Sequence, residues 1–195
     1  MDKIDLGSQG FLYPMPMTLV GADLTSGPNF LAAAWVNRCQ TNPPRLVVAL
    51  GKVHATNTGI REHGEFSVCI PSVDQVAVTD WCGLNSASRG AEKASPFTLF
   101  RGSLEHAPMI TECPLCLECR LFQTVDLGTH ELFVADIVGT WTEKRFLLPD
   151  GKPDPAKLRP FVLTMPDNRY WAVGEQIADA WSVGRRYGAS ELDPE

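Results

Sequence analysis

The segment Gly83–Lys93 carries the residue types that bind a phosphate group. It places two cations, Arg89 and Lys93, and two hydroxyl groups, Ser86 and Ser88, among glycine and alanine residues. Small residues let the backbone approach a ligand closely, and hydroxyl, N–H and cationic groups are the donors that phosphate oxygens accept. The same composition is typical of a solvated loop, so a phosphate site requires further ligand-binding residues elsewhere in the chain.

A second group of donors follows the short apolar run Leu46–Leu50, which has the length and branching of a buried strand. The residues after this run predict a short helix over Ala55–Glu62. Helix N-termini present free N–H groups, so this one could hold an anion; simple N-capping by a side chain is the alternative. The donors are His54, Thr56, Asn57 and Thr58.

A third candidate lies at the end of another apolar run, where an aromatic residue is usually part of the core. If a planar ligand binds here, the run Ala32–Ala34 would let it lie against the backbone, whose N–H and C=O groups could bind its edge. The residues at this position are Ala34, Trp35, Val36 and Asn37.

Three cysteines, Cys113, Cys116 and Cys119, form two overlapping Cys-x-x-Cys units, a spacing found in zinc and iron–sulfur sites. On an extended strand, Cys113 and Cys119 would lie on one face and Cys116 on the other. Thiols divided in this way cannot share a metal ion, so we predict buried strand cysteines and no metal site. The remaining cysteines are isolated in the sequence and are predicted to lie in the core: Cys39, Cys69 and Cys82.

The composition of the 195-residue chain excludes several classes of function. A net charge of −6 without a basic stripe argues against nucleic-acid binding. No apolar run is long enough to span a bilayer, and the N-terminus lacks a secretory signal pattern. We therefore expect one domain over residues 1–195, a cytoplasmic location and reduced cysteines.

The elements that must position these residues are mostly short strands, which is typical of a β-barrel or sandwich. A tight turn at Gly128–His130 joins the two longest strands, and His130 could serve either the turn or a ligand. The segment Ala189–Glu195 is expected to be irregular. The predicted strands are Met17–Leu24, Arg45–Lys52, Glu65–Ile70, Pro96–Leu104, Pro114–Leu127, Glu131–Trp141 and Phe161–Thr164. The predicted helices are Ala55–Glu62, Val73–Trp81 and Glu175–Val183.

An ordered series of short motifs over Tyr13–Gly184 resembles the flavin reductase-like proteins with the FMN-binding split-barrel fold, and the flavoredoxins within that family most of all. The motifs include Tyr13–Pro16, Asn42–Pro44, Glu65–Val68, Leu127–His130 and Tyr170–Gly174. The resemblance implies a mainly β fold, a six-stranded antiparallel Greek-key barrel with a few helices. It also implies a homodimer with FMN near the subunit interface.

Two activities are compatible with this resemblance. In the first, the protein is an enzyme that uses NAD(P)H to reduce FMN. In the second, it is a flavoredoxin-type electron carrier whose tightly bound FMN passes electrons between partner proteins. In both, the flavin carries the chemistry, so no catalytic side chain is expected.

Residue by residue, the resemblance implies that Trp35–Asn37 line the isoalloxazine ring. The donors from His54 to Thr58 would hold part of the ribityl phosphate, and Ser86, Arg89 and Lys93 would close on it from the other side. The family loop commonly reads Ser-Gly-Arg, whereas this chain has Ser-Ala-Ser-Arg at 86–89, so Ser88 is a second candidate beside Ser86.

Overall fold

The computed structural model describes residues 2–187, and the predicted irregular segment Ala189–Glu195 lies outside them. The strands in this range are β1 (Met15–Pro16), β2 (Thr18–Leu24), β3 (Gly27–Ala33), β4 (Val36–Gln40), β5 (Arg45–Gly51), β6 (Glu65–Ile70), β7 (Leu99–Phe100), β8 (Met109–Ile110), β9 (Leu115–Asp126), β10 (His130–Thr142), β11 (Phe161–Thr164) and β12 (Arg169–Ala172). The α-helices are α1 (Ala55–His63), α2 (Val76–Leu84) and α3 (Pro155–Leu158).

The main sheet is antiparallel, and its strand order is β3-β2-β6-β9-β10-β5-β4. The two edge strands, β3 and β4, are consecutive in the chain and are separated only by Ala34 and Trp35. One bent segment therefore pairs with β2 through its first half and with β5 through its second half. Counted as one strand, this segment closes the sheet into the predicted six-stranded antiparallel barrel.

Alternation along the strands divides the apolar residues between two cores. Val20, Val48, Phe66 and Phe133 are fully buried in the barrel interior. Leu19, the neighbour of Val20, points the other way into an outer core between the barrel and α2. The further residues of this outer core include Phe30, Cys69, Cys82, Met109, Cys113 and Cys116.

Helix α1 is held tightly against the edge of the barrel. It follows β5 after a short turn and ends at Gly64, which adopts the left-handed conformation that favours glycine. Its buried Gly59 lies directly on the backbone carbonyl of Asp23 in β2, so that a Cβ atom at this position would collide with the carbonyl oxygen. This contact holds the middle of α1 against β2.

Two predicted elements are wrong. The strand expected over Pro96–Leu104 is reduced to the two-residue strand β7. The helix expected over Glu175–Val183 is not formed, and the described residues from Glu175 onward contain only a 3₁₀ turn at Val183–Arg186. The apolar side chains of this segment are exposed, and a helix of this length is not stable without a face to pack against. No helix within residues 2–187 has the length and apolar content to cross a bilayer.

The cysteine prediction is correct for burial at five positions and wrong for Cys39, which is exposed on the edge strand β4. It is also wrong for the face that Cys113 occupies. Because β9 begins only at Leu115, the alternation of the strand does not extend back to Cys113. Cys113 instead packs with Cys116 in the outer core, whereas Cys119 lies inside the barrel.

Candidate functional site

The N-terminus of α1 and the loop 83–93 form two walls of one cleft of about 330 Å³, which we call the anion cleft. Two groups of donors that are distant in the sequence thus face each other within one chain. Six of the candidate residues line this cleft: His54, Thr56, Ser86, Ser88, Arg89 and Lys93.

The first turn of α1 contributes backbone donors to the anion cleft. The helix begins at Ala55 with His54 in the N-cap position, and no side chain caps it. The capping alternative is therefore not realised. The Asn57 N–H donates to the carbonyl of His54, whereas the N–H groups of Ala55 and Thr56 have no partner among the described residues and remain available to an anion.

The Thr56 side chain is oriented by a residue that the sequence analysis did not assign. Asn29 of β3 is buried, and its Nδ2 donates a hydrogen bond of 2.8 Å to Oγ1 of Thr56. Because Oγ1 accepts this bond, its own proton can be donated to a ligand in the cleft. The Oδ1 atom of Asn29 is buried and has no hydrogen-bond partner among the described residues. Asn29 escaped detection because a single asparagine in a strand carries no spacing signal.

Lys93 is a buried cation, with only 4% of its surface exposed. Its Nζ donates a hydrogen bond of 3.2 Å to the carbonyl oxygen of Cys82, and no carboxylate in residues 2–187 forms an ion pair with it. Burial lowers the pKa of Lys93, and the neighbouring Cys82 thiol opposes this effect. A buried charge without a counter-ion is costly, so an anion in the cleft would be strongly favoured.

Arg89 supplies a second cation from the opposite, exposed side of the loop. It ends a 3₁₀ turn over Ala87–Arg89, which Gly90 terminates in the left-handed conformation. Within the described part of the chain, its guanidinium forms no ion pair. Arg89 and Lys93 thus give the anion cleft a local positive charge in a chain whose net charge is −6.

A second cleft, of about 290 Å³, lies at the bend between β3 and β4, and we call it the ring cleft. Ala34 and Trp35 line it together with His130 of β10. The Trp35 side chain is 46% exposed, and its ring centroid lies 4.9 Å from that of His130. The ring cleft shares Leu31 and His54 with the anion cleft, so the two clefts adjoin, and we refer to them together as the groove.

His54 stands at the junction of the two clefts. Burial lowers its pKa, and the nearby charges of Lys93 and His130 lower it further. The imidazole is therefore neutral at pH 7 and can both donate and accept a hydrogen bond. His130, Leu163 and Met165 of the ring cleft come from distant segments, which the sequence analysis did not connect to this site.

Four candidate residues do not line the groove. Each helical residue is rotated by about 100° from the previous one, so Asn57 points away from the cleft that Thr56 lines. Asn57 is fully buried, and its Nδ2 donates a hydrogen bond of 2.8 Å to the carboxylate of Glu131. Thr58 faces a neighbouring cavity beside Ser88. Val36 packs against the barrel core, and Asn37 is exposed on the edge strand β4.

Comparison with known proteins agrees with this architecture. A family model described as a flavin reductase-like domain matches residues 10–151. The chain belongs to the flavin reductase-like family. Among solved structures of similar proteins, flavoredoxin from Methanosarcina acetivorans has 43% sequence identity and a TM-score of 0.91, over 95% of this chain and 98% of that one. Flavoredoxin of Desulfovibrio vulgaris has 32% identity and a TM-score of 0.87, over 94% and 100% of the two chains.

This member of the flavin reductase-like family is also similar to a protein named as a reductase. The FMN reductase (NADH) RutF of Ancylobacter novellus is 24% identical over 123 residues, which are 63% of this chain and 66% of that protein.

Proposed function

We propose that the chain binds FMN, with the phosphate in the anion cleft and the isoalloxazine in the ring cleft. The observation that carries this proposal is Lys93, a buried cation that faces the cleft without a carboxylate partner among residues 2–187. The groove also suits the cofactor, because the polar anion cleft lies beside the ring cleft with its aromatic side chains, and FMN likewise has a phosphate at one end and a ring at the other. Arg89, the Thr56 hydroxyl, Ser86 or Ser88 and the first N–H groups of α1 would complete the phosphate shell.

The residues of the ring cleft would orient the flavin. Ala34 leaves room for a flat ring to approach the backbone, and Trp35 and His130 provide an aromatic wall beside it. His54, which is neutral at pH 7, could donate a hydrogen bond without adding charge. Bound FMN supplies hydride and single-electron transfer, and the chain binds and orients it.

We further propose that the protein is an FMN oxidoreductase that uses NAD(P)H. The similarity to a protein named FMN reductase (NADH) supports this activity. The exposed position of Trp35 supports it as well, because a nicotinamide ring could reach a flavin bound in an open cleft. No separate nicotinamide-binding motif is required for such stacking.

A flavoredoxin-type electron carrier is the second candidate. Both flavoredoxins are similar to this chain over at least 94% of its length, which is more than the reductase covers. In this case FMN would stay bound through many cycles, and its electrons would come from a partner protein.

A homodimer is part of the proposal. Two side chains of the C-terminal segment, Ile177 and Trp181, are 99% and 93% exposed. Apolar side chains of this size are rarely left in solvent, so a second copy of the chain is the proposed partner that covers them.

Anaerobic stopped-flow measurements on the FMN-loaded protein separate the two activities. A reductase bleaches rapidly with NADH or NADPH and continues to turn over when excess FMN is added. A carrier is bleached by dithionite but reacts with neither nucleotide at a catalytically useful rate. A protein that retains no flavin after incubation with FMN would contradict both.

A further inference from the structure

Three thiols lie together in the outer core, behind the groove and outside it. Cys69 of β6 and Cys116 of β9 are almost completely buried, and Cys113 covers them from the turn that precedes β9. The proposed FMN chemistry uses none of them. The described residues contain no group of three or more His, Cys, Asp or Glu side chains arranged to hold a metal ion.

The strand register brings two of these thiols into direct opposition. Cys69 pairs with Cys116 across the antiparallel strands β6 and β9. Just beyond this ladder, the Leu121 N–H donates a hydrogen bond of 2.8 Å to the carbonyl of Gly64. Gly64 and Leu121 are therefore a hydrogen-bonded pair. Hydrogen-bonded and non-hydrogen-bonded pairs alternate along the two strands, and Cys69–Cys116 lies five pairs further on, so it is a non-hydrogen-bonded pair.

A pair of this kind has the geometry for a disulfide bond. The Cα atoms of non-hydrogen-bonded antiparallel pairs are about 4.5 Å apart, and their side chains approach most closely. Disulfides bridge Cα separations of roughly 4.4–6.8 Å. The Cys69–Cys116 pair can therefore be bridged with little movement of the backbone.

The environment of the pair favours thiol chemistry. Burial alone would raise the pKa of Cys69, but hydrogen bonds from Cys113 and Cys116 hold it well below its usual value. Gln75 of the segment before α2 contacts the Cys113 sulfur at 3.7 Å. Since a thiolate is the reactive form of cysteine, the lowered pKa supports Cys69 as the nucleophile, and its position opposite Cys116 makes Cys116 the thiol that would complete the bridge.

We propose that Cys69 and Cys116 form a reversible cross-strand disulfide when the protein meets a hydroperoxide. The Cys69 thiolate attacks the peroxide, the O–O bond breaks, and Cys69 becomes a sulfenic acid while an alcohol, or water from hydrogen peroxide, is released. The Cys116 thiol then attacks the sulfenic sulfur, the S–S bond forms, and water leaves. In total the two thiols lose two electrons and two protons, and the peroxide is reduced.

An external thiol would reopen the bridge by thiol–disulfide exchange and would itself be oxidised to a disulfide. The way in passes Cys113, which packs against both partners and is the member of the cluster nearest the surface, with 6% of its area exposed. Because the peroxide must pass this residue, oxidation requires a local opening of the turn and will be slower than at exposed Cys39.

Peptide mapping tests the proposal directly. The purified protein, with and without FMN, is treated with hydrogen peroxide, its free thiols are alkylated, and it is digested with trypsin without reduction. Cys69 lies in the tryptic peptide Glu62–Arg89 and Cys116 lies in Gly102–Arg120. The expected product is a linked pair of these two peptides that dithiothreitol separates.

Two variants identify the partners. Cys116→Ala should abolish the linked pair, and Cys119→Ala, a matched change in the same peptide but inside the barrel, should retain it. A bridge confined to Gly102–Arg120, or a linked pair that survives Cys116→Ala, would overturn the assignment. Oxidation of Cys39 in the wild-type protein without a linked pair would overturn it too. The result does not depend on flavin binding, so failure of the proposed function leaves this test intact.

Discussion

At the scale of single residues, the proposed chemistry of the groove depends most on Lys93. This lysine is buried beside a backbone carbonyl, with no carboxylate partner among the described residues, so under the proposed function its charge would contribute little to folding and a great deal to anion binding. Its position eleven residues after Cys82, the residue whose carbonyl it contacts, could not be inferred from sequence, because the loop between them has no regular period.

Lys93→Met separates these two contributions. Removing one charge-assisted hydrogen bond of about 1.5–3 kcal/mol should weaken FMN binding by roughly 10- to 150-fold. The apoprotein should be at least as stable as the wild type, because a desolvated charge is replaced by an apolar chain of similar length. Fluorescence titration with FMN and urea unfolding measure the two effects. Lys144→Met, at an exposed lysine outside both clefts, is the control and should change neither quantity.

His54→Gln tests the lowered pKa of His54. Between pH 6.5 and the lower folded-state pKa, the unfolded chain binds a proton that the folded chain does not. Acidification through this window therefore destabilises the wild-type apoprotein, and His54→Gln should lose less stability over the same interval. Urea unfolding at several pH values from 7.5 to about 5 measures the difference. Parallel curves for the two proteins would show that His54 is not the group responsible.

Helix α1 carries the site at the scale of secondary structure, and Gly59 sets its position. In most helices Gly→Ala stabilises by about 0.5–1 kcal/mol. At Gly59, however, the new methyl group would collide with the carbonyl of Asp23, so Gly59→Ala should instead destabilise the protein by about 1–3 kcal/mol. Urea unfolding measures the change, and Gly10→Ala, which has open space around it, should be nearly neutral. A stabilised Gly59→Ala protein would contradict the close packing of α1.

The elements that were predicted correctly are those whose signal is local. Alternation and a following proline define Glu65–Ile70, and the structure has a strand with the same bounds. The closure of the barrel has no local signal and was predicted only from the family resemblance, because it depends on the bend at Ala34–Trp35 and on two strand pairings distant in sequence. The helix expected over Glu175–Val183 failed for the opposite reason: its apolar spacing is real, but none of the residues that the structure describes provides a surface that covers it.

The candidate site was predicted in part for similar physical reasons. The types of side chain in the loop 83–93 and around Thr56 suggested an anion, and the structure brings both groups to one cleft. Side-chain direction was not available from the sequence, so Asn57 was grouped with Thr56 although it points into the core. Asn29 and His130 reach the groove through strand pairing, which no local pattern reveals.

The exposed C-terminal segment makes a prediction for the whole molecule. If a second copy covers Ile177 and Trp181, replacing both with aspartate should convert a dimer into a monomer, because two charges would have to be buried in the interface. Light scattering coupled to gel filtration measures the mass. The matched control is Gln176→Asp with Ser182→Asp, which adds the same two charges at neighbouring polar positions and should remain dimeric. A wild-type protein that is monomeric at all concentrations would refute the proposed dimer.

The central claim is that the two cations and the α1 N-terminus bind the phosphate of a flavin nucleotide, and comparing FMN with riboflavin, which lacks the phosphate, tests it most directly. Titrations of the wild type and of Arg89→Ala combined with Lys93→Ala give four dissociation constants. Two charge-assisted contacts predict that the wild type prefers FMN by at least about 100-fold, and that the double variant loses most of this preference. Equal affinity of the wild type for FMN and riboflavin, or an undiminished preference in the double variant, would contradict the account.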